Sequence, residues 1–232
     1  MKKIIPSLLT ILNLICGCFA IALAFQFQFE AVLILVCLGN FFDFLDGLVA
    51  RALDSVTNFG KHLDSITDVV TSGVVPGVVV YQLFKLSGNK VSDFEFLILE
   101  YDLIFSLSPI SFIAFFITIG SAIRLSKFNT SIGNDEFIGL PTPANAIFFS
   151  ALPVFIDSQL IVESKEIFLN NYFLIISVLI SVFLMNAQFR LFSFKISFKD
   201  FQSNIYQVIL LLLSVPILIN FHLGGFVIII LL

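Results

Sequence analysis

Charge is scarce in this chain and tryptophan is missing from it: Asp, Glu, Lys and Arg make up 12% of the 232 residues, against 59% hydrophobic. Soluble domains carry about 25% charged residues, so a water-facing surface cannot be built from this composition. The mean hydropathy of +1.07 places the chain in a bilayer. Apolar runs of the roughly 20 residues that a membrane helix needs follow one another from end to end, and no gap is wide enough for an extramembrane domain. Cysteine is also sparse. Cys16, Cys18 and Cys37 lie in apolar runs without a C-x2-C pair, which excludes a disulfide framework and a thiolate metal site and leaves packing roles. There is no internal repeat, low-complexity tract or Pro- or Ser-rich linker, so residues 1–232 are expected to form a single integral membrane domain. The 30 phenylalanines read as lipid-facing and packing side chains rather than a stacking platform for bases, so no nucleic-acid partner is expected.

What is present in abundance is apolar sequence. Spans are predicted near residues 5–26, 31–52, 62–86, 103–125, 141–157, 168–187 and 204–220, followed by a short apolar stretch from Gly224 to Leu232 that either spans or lies at the interface. The fold class is therefore all-α, a polytopic transmembrane helical bundle. Met1-Lys2-Lys3 ahead of the run Leu8 to Phe25 has the outline of a signal peptide. The length of the run, the further spans and the lack of a small-x-small cleavage site before a soluble start make it the first retained helix instead. With the N-terminus in the cytoplasm, Lys2, Lys3, Arg51, Lys61, Arg124, Lys127, Arg190, Lys195 and Lys199 all face inward, nine of the twelve basic residues. Lys85, Lys90 and Lys165 face outward, among acidic loops that hold Asp93, Glu95, Glu100, Asp102, Asp157, Glu163 and Glu166. That bias fixes the orientation.

Against this background the segment from Asp43 to Asp68 is anomalous, because Asp43, Asp46, Asp54, Asp64 and Asp68 crowd into it. A charged side chain at mid-bilayer costs roughly 2.5–3.5 kcal/mol on insertion scales, so such residues face a protein interior or a water-filled cavity. On a helix, Asp43, Asp46, Gly47 and Ala50 share one stripe, and Gly60, Asp64 and Asp68 share another on the next helix. The short connection makes the two helices antiparallel neighbours, so four carboxylates can converge. Asp54, off both stripes, is a solvated or capping acid. Converging like charges stay ionised only if cations neutralise them. An all-oxygen donor set without His or Cys selects Mg²⁺, Mn²⁺ or Ca²⁺ over Zn²⁺, and two such ions can clamp a pyrophosphate. Gly47, Ala50 and Gly60 leave the helix faces bare for a ligand, although small residues also serve helix packing. Arg51 offers a planar fork suited to phosphate, or a plain cytoplasmic anchor.

Written out, Asp43-x2-Asp46-Gly47-x2-Ala50-Arg51-x8-Gly60-x3-Asp64-x3-Asp68 resembles the signature of the CDP-alcohol phosphatidyltransferases at every fixed position. The stretch Asp64 to Pro76 is similar to the D-S-x-A-D-x-x-S-F-G-V-A-P pattern of that family's phosphatidylserine synthase branch, with Thr67 and Ser72 as departures. Ala122 to Asn129 is similar to its A-L-R-L-A-R-F-N, with Lys127 in place of Arg, and Phe137 to Ala144 to its F-x-G-L-P-x-P-A. Pro6-Ser7-Leu8-Leu9-Thr10 is similar to a P-N-x-x-T segment that approaches the CDP-lipid, Ser7 replacing Asn.

The resemblance implies a six-helix catalytic core over about residues 5–187 with one or two extra C-terminal helices over about 204–232. It implies Asp43, Asp46, Asp64 and Asp68 as ligands of two divalent ions, Mg²⁺, Mn²⁺ or Ca²⁺, and Asp68 also as general base. Ser7, Thr10, Gly47, Ala50, Arg51, Thr57 and Gly60 would border the CDP moiety, and Arg124, Lys127 and Asn129 would hold the acceptor's carboxylate. The reaction implied is attack of the L-serine hydroxyl on CDP-diacylglycerol with release of CMP, by a homodimer in a bacterial inner membrane among membrane lipids, with the site on the cytoplasmic side. Two other readings remain open. The same chemistry can use glycerol 3-phosphate or an inositol phosphate as acceptor, which would call for a richer basic pocket. A cation transporter would also carry intramembrane carboxylates, without glycines and Ala-Arg at this spacing.

Overall fold

The computed structural model describes residues 4–88, 92–98, 101–130, 139–158, 165–187 and 205–232. Ile4–Phe25 forms α1 and Phe29–Ala52 forms α2, joined by a tight turn in which Phe27 takes a φ of 58°. Asn58–Asp68 (α3), a π-helical turn over Val69–Val74 and Val75–Leu86 (α4) run on as one 29-residue helix. Ser92–Ile98 (β1) and Tyr101–Leu107 (β2) then pair as an antiparallel hairpin, and a 3₁₀ turn over Pro109–Ala114 leads into α5, Phe115–Thr130. Thr142–Ile156 (α6), Lys165–Phe168 (α7), Asn171–Asn186 (α8) and Ile205–Phe221 (α9) follow. A 3₁₀ turn over His222–Gly225 precedes α10, Phe226–Leu231.

The chain is a polytopic helical bundle of an integral membrane protein. Among the described residues, five helical stretches are long and apolar enough to cross a bilayer. The helix boundaries depart most from the apolar runs at the fourth span. The fourth span starts at Pro109 rather than near 103, because Tyr101–Leu107, rich in strand-forming Tyr, Leu, Ile and Phe, pairs with Ser92–Ile98 instead. At 15 and 16 residues, α6 and α8 are shorter than full spans. Pro141 holds Leu140 out of helical geometry at the start of α6, and Ala187 ends α8 in extended conformation, with ψ 146°. The last apolar stretch does not cross the membrane alone. A Cβ on Gly225 would lie 3.1 Å from the Ile217 carbonyl oxygen, whereas eight residues of straight helix span about 12 Å. The chain therefore doubles back at His222, whose φ is 50°, and α10 packs against α6 and α9. The stretches around Arg190, Lys195 and Lys199, as well as Lys2, Lys3, Lys90 and Glu163, lie outside the described residues.

At the centre is α4. Every residue from Val75 to Phe84 is buried, as expected of a helix apolar on all faces. Val75, Val78 and Val79 pack with Ala20, Ala24, Val32 and Val36 of α1 and α2. On the other side Leu83 and Phe84 join Phe149 and Leu152 of α6 and Leu174, Val178 and Met185 of α8. Helix α5 approaches most closely where side chains are absent: a Cβ on Gly77 would meet the Thr118 hydroxyl at 2.6 Å, and one on Gly73 the Ser121 hydroxyl at 3.1 Å. Pro76 lacks an N–H and so leaves a carbonyl of the preceding turn without its helical donor. Separately, the Thr118 hydroxyl donates to the Gly73 carbonyl at 2.9 Å, which ties α5 to the π-turn. Pi-turns within α-helices commonly mark functional sites, and this one begins directly after Asp68.

Gly77→Val is accordingly expected to destabilise the bundle by about 1–3 kcal/mol, the usual range for overpacking. The measurement is thermal unfolding in detergent, followed by a fluorogenic maleimide reacting with buried Cys16 in a background where exposed Cys18 is replaced by serine. An unchanged melting curve would contradict the close α4–α5 contact.

Candidate metal centre

Three helices build the centre. The C-terminal half of α2 carries Asp43, Asp46, Gly47, Ala50 and Arg51, and α3 carries Gly60, Asp64 and Asp68. The connection is tight: Asp54, exposed, adopts a φ of 49°, and the Thr57 hydroxyl caps α3 by accepting from the Gly60 N–H at 3.0 Å. Such caps favour Thr in extended geometry, so at least part of the reason for Thr57 is structural. Helix α1 packs along both α2 and α3 and adds polar side chains from a third direction.

One carboxylate oxygen each from Asp43, Asp64 and Asp68 lies within 4.8 Å of the others. All three side chains are half-buried. Unscreened by a cation, each pair at that spacing repels by on the order of 3 kcal/mol at an effective dielectric of 20. Oxygens around one hard cation with bonds of about 2.0–2.6 Å lie up to about 4–5 Å apart, which this spacing matches. Asp64 Oδ1 is buried with no hydrogen-bond partner, an acceptor still in need of a donor or cation. By spacing, donor chemistry and the orphaned oxygen, the residues fit a divalent metal. Asp46 is placed differently from the other three. It is buried one turn further along α2 and hydrogen-bonded by the Thr10 hydroxyl. The same hydroxyl also lies 3.1 Å from the Pro6 carbonyl, and with one proton it can donate to only one of them at a time.

The bare positions are where the sequence predicts them. A Cβ added to Gly47 would find only Arg51 Nη2 within 4 Å, at 3.9 Å, and one on Gly60 only the Thr57 hydroxyl. A ligand can therefore approach the backbone beside the carboxylates. Arg51 is exposed and Ala50 half-buried. Ser7 sits half-buried on α1, three residues before Thr10.

The residues expected to meet the acceptor lie on α5, which runs antiparallel to the α3–α4 helix: Thr118 faces both Gly77 and Gly73, and Ser121 faces Gly73. One turn further, Arg124 comes level with the residues just after Asp68. Its guanidinium donates to the Met185 carbonyl through Nε at 3.1 Å and to the Gly139 carbonyl through Nη2 at 3.2 Å. It thereby clamps the end of α8 to the turn before α6. Gly139 is in the left-handed region, φ 73°, with backbone carbonyls 2.7–3.0 Å from where a Cβ would sit; only glycine fits there. Lys127 is exposed on α5. Asn129 belongs to α5 by its backbone, and its side chain lies outside the described residues.

Sequence reasoning missed the contribution of α1 beyond Thr10. Asn13 is fully buried and its amide donates to Asp68 Oδ1 at 3.5 Å. Farther in, the Ser72 hydroxyl donates to Asn40 Oδ1 at 3.3 Å. The signal was available: a lone amide in an apolar span, three residues after Thr10 and so on the same helix face.

If the cluster holds a metal, Asp43→Asn, Asp64→Asn and Asp68→Asn each weaken Mn²⁺ binding by more than the roughly tenfold that loss of an outer-shell partner already costs, and Asp54→Asn leaves it unchanged. Electron paramagnetic resonance of free Mn²⁺ reads this directly, and equal affinity across the set would contradict the assignment.

The family profile described as CDP-alcohol phosphatidyltransferase matches residues 3–185. The chain is 33% identical over 141 residues to the CDP-diacylglycerol–serine O-phosphatidyltransferase of Bacillus subtilis, covering 60% of this chain and 69% of that protein. It is 35% identical over 157 residues to the protein of the same name from Methanocaldococcus jannaschii, covering 68% and 64%. To the archaetidylserine synthase of Methanothermobacter thermautotrophicus it is 31% identical over 150 residues, covering 63% and 56%. The profile spans well over half of the chain and takes in both aspartate-bearing helices together with α1 and α5, so this protein belongs to the CDP-alcohol phosphatidyltransferase family.

Proposed function

We propose that this chain is a phosphatidylserine synthase, transferring the phosphatidyl group of CDP-diacylglycerol to the hydroxyl of L-serine in phospholipid biosynthesis and releasing CMP. The observation that carries the reading is the convergence of Asp43, Asp64 and Asp68 within 4.8 Å on the two helices that bear the family signature. The serine acceptor is supported by the names of the relatives and by the similarity of Asp64 to Pro76, Arg124 to Asn129 and Gly139 to Pro143 to the serine branch.

Asp43, Asp46, Asp64 and Asp68 would hold the metal, two Mg²⁺ or Mn²⁺ ions in this reading. When bound, the ions neutralise the pyrophosphate and the charge that develops on the departing CMP. Gly47, Ala50 and Gly60 admit the nucleotide against the backbone, Arg51 pairs with phosphate, and Ser7, Thr10 and Thr57 border it. Thr10 also fixes Asp46 by its hydrogen bond. Asp68 takes the proton of the serine hydroxyl as that oxygen bonds to the lipid-linked phosphorus. The bond from that phosphorus to the CMP phosphate oxygen breaks in the same displacement, and CMP carries away the electron pair. Arg124, held rigid by the Met185 and Gly139 carbonyls, meets the serine carboxylate with Lys127 and Asn129.

The catalytic core is taken as about residues 5–187 of one domain, 1–232, with the helices over about 204–232 as an addition. The site faces the cytoplasm of a bacterial inner membrane, a reading supported by Arg51, Lys61, Arg124 and Lys127 at the end of the bundle where the aspartates lie. A homodimer is proposed on the family resemblance.

The test is CMP release by purified protein with CDP-diacylglycerol, Mg²⁺ or Mn²⁺, and serine, glycerol 3-phosphate or an inositol phosphate. Release with serine alone is expected. Asp68→Asn is expected to remain folded and to lose about 10²–10⁴-fold in kcat, the typical share of a general base. Turnover with glycerol 3-phosphate and not with serine would overturn the acceptor, and wild-type turnover in Asp68→Asn would overturn the base.

A further inference from the structure

Asn13 is the polar residue that the proposed chemistry leaves unused, although it touches the reacting carboxylate. It is fully buried on α1. Its amide Nδ2 donates to Asp68 Oδ1 at 3.5 Å, and its backbone carbonyl accepts from the Thr71 hydroxyl at 3.3 Å. Thr71 lies three residues beyond Asp68, inside the π-turn. Asp68, Asn13 and Thr71 therefore form a closed loop of contacts that pins the start of the π-turn to α1. Two glycines leave the necessary room. A Cβ on Gly39 would lie 2.8 Å from Asn13 Oδ1 and 2.9 Å from the Thr71 methyl, and one on Gly17 would lie 2.6 Å from the Thr71 hydroxyl.

Packing alone does not account for an amide here. Asn13 Oδ1 is buried without a partner, a penalty that an apolar side chain of similar size, such as leucine, would avoid. What leucine cannot supply is a neutral donor aimed at a carboxylate. A lysine in its place would neutralise Asp68 and compete with a metal, whereas an amide orients the carboxylate and leaves its charge available.

We infer that Asn13 is a positioning residue that holds the Asp68 carboxylate towards Asp43 and Asp64, and so towards both the metal and the acceptor hydroxyl. This rests on the reading of Asp68 as ligand and base. Orientation by a hydrogen bond to the ligand is what sets metal affinity and reactivity in such centres, and its loss typically lowers either by about 10–100-fold.

The experiment measures Mn²⁺ affinity by electron paramagnetic resonance together with kcat and KM, in full-length protein in detergent. Asn13→Leu is expected to weaken Mn²⁺ binding and to lower kcat, each by about 10–100-fold, with KM for CDP-diacylglycerol and serine changed less than about threefold. Gly39→Ala, which crowds Asn13 Oδ1, moves the same two quantities in the same direction. Gln82→Leu, which removes a different buried amide that donates to the Ala24 carbonyl, changes neither. Should Asn13→Leu not assemble, Asn13→Ser, a smaller donor, is expected to show the same pair of losses at reduced size. Wild-type Mn²⁺ affinity and kcat in a folded Asn13 variant would overturn the inference alone, as would equal losses in Gln82→Leu. Wild-type protein that binds no Mn²⁺ would overturn the metal reading and this inference with it.

Discussion

Carboxylates that meet inside an apolar bundle repel one another, and nearly every local feature of this protein is arranged around that repulsion. Asp43, Asp64 and Asp68 bring an oxygen each to within 4.8 Å of one another in a bundle whose core is apolar. Helix packing gains nothing from such an arrangement. A divalent cation would turn it from a liability into a binding site, because the same crowding that opposes ionisation would then supply a multidentate hard-oxygen shell. A bound cation would make sense of the fold's most expensive residues.

The surrounding helices read as a frame for that shell. Helix α1 lies against both aspartate helices and engages two carboxylates, Asp46 through Thr10 and Asp68 through Asn13. The π-turn after Asp68 changes the pitch of the central helix, so the polar residues before it face α1 and α2 while Gly73 within it and Gly77 beyond it face α5. The buried valines and phenylalanines of α4 anchor the far half of that helix in the densest part of the bundle. The apolar half lies deep in the bundle and the aspartate-bearing half opens at the end where Arg51 and Lys61 are exposed. This division suits the proposed transfer, in which a lipid is met within the bilayer and a water-soluble acceptor arrives from outside it.

Much of this was legible in the sequence, for identifiable reasons. The aspartate stripes, their glycines and the helices that carry them follow from 3.6-residue periodicity, which operates within single helices. What escaped depends on contacts between helices or on local backbone geometry. Asn13 stands out in the sequence as an amide in an apolar span on the Thr10 face, but its partner, Asp68, is set only when α3 is folded against it. Asp46 belongs to the same stripe as Asp43, yet Asp43 meets Asp64 and Asp68 while Asp46 is held by Thr10 of α1. Thr57 looks like a ligand contact and is also a helix cap. Arg124 looks like an open cation and is braced on two backbone carbonyls. The reversal at His222 is set by close backbone packing at Gly224 and Gly225 that hydropathy does not register.

The most direct test of the central claim is anomalous X-ray scattering from crystals of the protein grown with Mn²⁺. The account predicts a manganese peak bounded by the carboxylates of Asp43, Asp64 and Asp68, on the side facing Gly47 and Gly60. Manganese bound only elsewhere, or an empty map at this position at a concentration that supports full turnover, would contradict it.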